Sequence, residues 1–65
     1  MKETEKKAIQ ESNRILGLDM DLTVKEYADF LKDGEALLAA GFSDADQHRI
    51  EDAYSVLFAA IKNNA

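Results

Sequence analysis

Apolar and polar residues recur along this 65-residue chain with a spacing that predicts three helical segments. Two helix starts organise the pattern. Residues 23–26 (TVKE) form a capping box, in which a Thr and a Glu side chain bond backbone N–H groups of the first turn. Residues 43–46 (SDAD) are a version of it with a shorter acidic arm. Gly41 predicts a helix end between them, because glycine adopts the left-handed conformation at little steric cost. We therefore predict an antiparallel αα-hairpin with arms at about 23–41 and 43–63.

Gly34 lies inside the first arm and leaves two interpretations open. In one, the helix breaks after Asp33 and a short second helix starts at Glu35. In the other, one helix runs through the glycine, although glycine inside a helix costs about 0.5–1 kcal/mol relative to alanine. The apolar phase continues from Phe30 to Leu37, seven residues later, so the continuous helix is favoured.

The segment at about 4–16 predicts a weaker N-terminal helix that ends at Gly17. Its apolar face contains Ala8, Ile9 and Leu16, but Ser12 lies at the centre of that face. We expect such a helix to form only against the hairpin of its own chain or against a second copy.

The second arm carries an apolar arc about 200° wide, whereas packing on one neighbour requires a stripe of about 100°. The N-terminal helix and the first arm could together cover this arc, and so could a second chain. A single domain of residues 1–65 without cysteine has a small core and no disulfide, which favours oligomerisation. The predicted fold is thus all-α, a small helical bundle completed by a homo-oligomer. The predicted oligomer interface is Tyr54, Val56, Leu57, Phe58 and Ile61.

The formal net charge is −5, and residues 17–65 hold ten acidic residues against four basic ones. A field of this sign disfavours nucleic acid and anionic membranes as partners. Glu26, Asp29 and Asp33 lie along one ridge of the first arm. They are the predicted partner-binding acidic face, which would contact a basic patch on another protein, although acidic ridges are commonly just solvated.

The sequence predicts no catalytic site, no metal site and no cofactor. The chain has no cysteine and one histidine, which rules out thiolate zinc ligands and leaves a poor ligand set. The charged start of the chain does not resemble a signal peptide, and no apolar run approaches the length of a membrane span. We therefore expect a cytoplasmic protein that is not an enzyme.

The leading functional hypothesis is a small acidic helical interaction module. It would self-associate and bind a partner protein as a regulator or inhibitor. The alternative is an oligomer that binds or sequesters a small, nucleotide-like molecule in a pocket between chains. That possible ligand pocket would be lined by Tyr27, Tyr54, Lys25 and Arg49, whose aromatic rings and cations suit a base and its phosphates.

Overall fold

A computed structural model describes residues 2–63, in which all regular secondary structure is helical. This confirms the all-α prediction. A single 3₁₀ turn leads into the last helix, and the N-terminal segment is a full helix of four turns. The elements are α1 Glu3–Leu16, α2 Val24–Lys32, α3 Gly34–Ala39, a 3₁₀ turn Asp44–Asp46 and α4 Gln47–Asn63.

Side chains make the hydrogen bonds that begin α2 and the 3₁₀ turn. The Glu26 backbone N–H donates to Thr23 Oγ1 at 3.1 Å, and the Thr23 N–H donates to Glu26 Oε1 at 3.2 Å. Ahead of α4, the Ser43 N–H donates to Asp46 Oδ2 at 2.9 Å. These bonds satisfy N–H groups that have no partner inside a helix. The predicted helix start at 23–26 is therefore confirmed, whereas residues 44–46 form a 3₁₀ turn and α4 begins at Gln47.

Gly41 ends α3 in the left-handed conformation, with φ of +95°. The Phe42 N–H donates to the Leu37 carbonyl at 2.9 Å, and the Gly41 N–H donates to the Leu38 carbonyl at 3.0 Å. This pair of bonds is the Schellman motif, which turns the chain back at a helix C-terminus. The predicted stop at Gly41 is confirmed.

The favoured prediction of one helix through Gly34 is wrong. The helix α2 ends at Lys32, and Asp33 has an extended backbone with φ of −91° and ψ of 100°. The Asp33 carboxylate accepts hydrogen bonds from the N–H groups of Glu35 and Ala36, at 3.1 and 3.2 Å, and so caps α3. Asp is a strong N-cap residue and Gly is a weak helix former, which explains the break between them.

The core lies where α4 packs against both α1 and α2. Ala53 and Leu57 of α4 are fully buried, and so is Ser12 of α1. The Ser12 hydroxyl donates to the Ala53 carbonyl at 3.3 Å, so the polar residue that interrupts the face of α1 is satisfied inside the core. The N-terminal helix thus packs within its own chain.

The apolar arc of α4 is covered mainly from within this chain. Val56 borders a groove against α1, whereas Tyr54 borders a groove against α2. The radius of gyration is 11.0 Å, close to the value of about 11 Å expected for a folded domain of this length. The width of the arc therefore no longer argues by itself for a second chain.

Candidate interaction surfaces

The helix α3 has an apolar sequence but no buried residue. Leu38 is 71% exposed, the highest exposure among the large hydrophobic residues that the structure describes. Among the helices, α3 packs against α2 only. Capping by Asp33 and the Schellman motif at Gly41 hold this short helix in place from its two ends. Leu38 of this ordered helix is therefore open to solvent, whereas Leu37 packs against the core.

A groove runs between α3 and the start of α4, and we call it the α3 groove. Its apolar surface comes from Leu37, Leu38, Phe42 and Ile50. Phe42 is 8% exposed, because the chain reversal at Gly41 folds it into the core. The charged groups along the groove are three carboxylates and one ammonium. They belong to Asp33, Glu35, Asp44 and Lys32.

The second exposed apolar surface lies on α4. Phe58 is 51% exposed, and its ring stacks on that of Tyr54 with 6.1 Å between the centroids. The Lys32 ammonium lies 5.4 Å from the centroid of the Tyr54 ring, within the range of a cation–π contact. Its interaction with Tyr54 also raises the pKa of Lys32. The Lys32 side chain of α2 thus covers the ring of Tyr54, whereas the ring of Phe58 remains exposed to solvent.

The five residues of the predicted oligomer interface do not share one surface. Leu57 is fully buried within the chain and presents no surface to a partner. Val56 lies on the side of α4 that faces α1, and Tyr54 lies on the side that faces α2. Ile61 is half-buried against the core. Of the set, Phe58 is the large side chain that points outward.

The three residues of the predicted acidic face are all exposed. Two of them also cap helices. Hydrogen bonds from Thr23 lower the pKa of the Glu26 carboxyl, and Asp33 caps α3. Asp33 also lines the α3 groove, whereas Asp29 lies on α2. The acidic face therefore continues into the groove through Asp33.

The four residues of the predicted ligand pocket are dispersed. Tyr27 is fully buried, and its hydroxyl donates to Asn13 Oδ1 at 2.7 Å. Arg49 forms an ion pair with Asp46 at the start of α4. The groove that contains Tyr54 includes neither of these two residues, nor Lys25. Tyr27 is a core residue, so it does not present its ring to a ligand.

Asn13 is a residue to which the sequence drew no attention. Besides accepting the bond from Tyr27, Asn13 Oδ1 accepts from the Met20 N–H at 3.1 Å. Its Nδ2 donates to the Met20 carbonyl at 3.1 Å. One amide thus joins α1, the link before α2, and α2 itself. No sequence pattern distinguishes an Asn that bonds other segments in this way from an Asn near a helix end that is exposed to solvent.

Residues 2–63 contain neither a metal cluster nor a membrane-spanning helix. No group of three or more His, Cys, Asp or Glu side chains there is placed to hold a metal ion. None of the helices in that range combines the length and the apolar character needed to cross a bilayer.

Comparison of the chain with protein-family models, with curated proteins and with solved structures finds no match. The two exposed apolar surfaces and the charges around them are the features of the described residues that bear on function.

Proposed function

We propose that this chain is a non-enzymatic interaction module that docks on a partner protein through the α3 groove and also self-associates. The observation that carries the proposal is the exposure of Leu38, at 71%, on a helix without a buried residue. Apolar surface of this kind, held in an ordered element and rimmed by polar groups, marks interaction sites. Leu38 itself is not part of the core of the chain.

The charge around the groove indicates the chemistry of the partner. Asp33, Glu35 and Asp44 outnumber Lys32 along its edges. A complementary segment would insert one or two apolar side chains beside Leu37 and Leu38 and place Lys or Arg against the carboxylates. Such charge complementarity sets the orientation and the rate of association more than the affinity.

Site-specific photo-crosslinking in the native cells tests this proposal. A photoreactive residue at position 38 should give a discrete adduct with a protein that carries a basic, apolar segment. The matched control places the same group at Lys25, an exposed position on α2 away from the groove. Charge reversal at Glu35 and Asp44 should then reduce the adduct from position 38, because the carboxylates attract the partner.

Two results would contradict docking through the α3 groove. One is an adduct pattern that is the same from positions 38 and 25. The other is an adduct from position 38 that contains only a second copy of this chain, which would assign the groove to self-association instead.

A further inference from the structure

Four exposed residues of α4 share one side of the helix, and we call them the α4 stripe: Glu51, Ser55, Phe58 and Lys62. At 3.6 residues per turn they lie within about 60° of one another around the helix axis. The buried residues of α4, such as Ala53 and Leu57, lie on the other side. The stripe therefore points away from the core of the chain.

The spacing of the α4 stripe is the same whether it is followed from the N-terminus or from the C-terminus of the helix. Its intervals are four, three and four residues, so an antiparallel copy of α4 aligns with it residue for residue. In that alignment Glu51 faces Lys62 of the copy, and Phe58 faces Ser55 of the copy. Opposite charges meet at both ends, and the large ring meets a small side chain at both central positions.

We propose that two copies of this chain pair through the α4 stripe, with the two α4 helices antiparallel and Glu51 opposite Lys62. This inference rests on the self-association within the proposed function and specifies its geometry. An interface with two-fold symmetry must be self-complementary, because the same surface is used on both sides. The stripe meets this requirement in charge and in size.

Antiparallel pairing is also favoured by the helix dipoles, since each N-terminus lies beside the C-terminus of the other helix. Lys32 of α2 lines the same groove as Glu51 and Tyr54, so its charge lies beside that end of the stripe. Lys32 is unchanged in all of the variants that test the dimer, so its electrostatic contribution to dimerisation is the same in each. A stripe of one helix is a small interface, so the dimer is expected to be weak and concentration-dependent.

Charge exchange between the two ends of the stripe tests the register. Sedimentation equilibrium of the wild-type chain up to about 1 mM should reveal a dimer. Glu51→Lys places Lys against Lys at both ends, and Lys62→Glu places Glu against Glu, so each should weaken the dimer roughly tenfold or more at low salt. The double variant should dimerise like the wild type. An equimolar mixture of the two single variants should form the heterodimer, in which every facing pair is again opposite in charge.

Two further variants each replace an exposed hydrophobic residue with Glu. Phe58→Glu should leave a folded monomer, because it places a carboxylate against the stripe of the copy. Leu38→Glu is the matched control: the residue is also a large exposed hydrophobic, more exposed than Phe58, but it lies in the α3 groove, so the dimer should persist. Circular dichroism of each variant verifies that the helices are intact.

The outcomes distinguish self-association as such from the antiparallel register of the two α4 helices. A wild-type chain that stays monomeric throughout the concentration range overturns self-association and this geometry together. A dimer that responds to neither single charge reversal, or that the equimolar mixture fails to restore, overturns this register while self-association stands. Loss of the dimer in Leu38→Glu with retention in Phe58→Glu would move the interface to the α3 groove.

Discussion

Replacing Asn13 with Ala should destabilise the fold more than replacing an exposed amide of α1. The amide makes three hydrogen bonds, one with the Tyr27 hydroxyl and two with the Met20 backbone. A typical bond contributes about 1 kcal/mol net, and leaving a buried donor unpaired costs about as much again. Alanine recovers up to about 0.7 kcal/mol through its helix propensity. The expected net loss is about 3 kcal/mol.

A loss of that size is large for a 65-residue domain, whose whole stability is on the order of 3–10 kcal/mol. The assay is urea unfolding followed by circular dichroism, with the midpoint and slope fitted for each variant. Gln10→Ala is the matched control, since Gln10 is an exposed amide on the same helix and its removal should change stability by less than about 0.5 kcal/mol.

A double-mutant cycle with Tyr27→Phe isolates the bond between the two side chains. Tyr27→Phe alone should cost about 1 kcal/mol, and the coupling between the two changes should be of similar size. If Asn13→Ala is no more destabilising than the Gln10 control, or if the two changes are additive, then this amide does not connect the helices energetically.

Three further predictions concern close packing, backbone conformation and pH. Ser12→Leu should destabilise the fold by about 1–3 kcal/mol in urea unfolding, because α1 and α4 meet there without free space, whereas Ser12→Ala should cost less than about 1 kcal/mol. Gly34→Ala should raise the melting temperature, since a Cβ there meets nothing within 4 Å, while Gly41→Ala should lower it through strain at a φ of +95°. Burial raises the pKa of Tyr27 to about 12, whereas a tyrosine in the unfolded chain ionises near about 10. The free energy of unfolding should therefore decrease between these pH values, and Tyr27→Phe should reduce that decrease.

The signals that the sequence carried most reliably were local ones. The bonds that begin α2 and end α3 depend on residues within one turn of each other, so Thr23, Glu26 and Gly41 could be interpreted without knowing the fold. The break at Asp33 was also a local signal, but it competed with an apolar phase that continued across it. The helix break at Asp33, which caps α3, outweighed that periodicity. Leu38 is consequently exposed instead of lying on a continuous apolar face.

The sequence does not reveal which helix packs against each apolar face. The arc of α4 required two neighbours, and periodicity does not reveal whether they come from the same chain. The helix α1 is one of them: Ala8, Ile9 and Leu16 are buried in the core, and the Ser12 hydroxyl among them donates to the Ala53 carbonyl. Tyr27 and Arg49 were separated for the same reason, since their positions depend on which helices pack together.

We propose that the two exposed apolar surfaces have separate roles: the α4 stripe pairs two copies, and the α3 groove remains free for a partner protein. A dilution series of amide ¹H–¹⁵N NMR spectra tests these roles residue by residue. Concentration-dependent shifts should be concentrated around Glu51, Ser55, Phe58 and Lys62, with the amides of α3 unchanged. Shifts centred on α3, or spectra that do not change with concentration, would contradict this proposal.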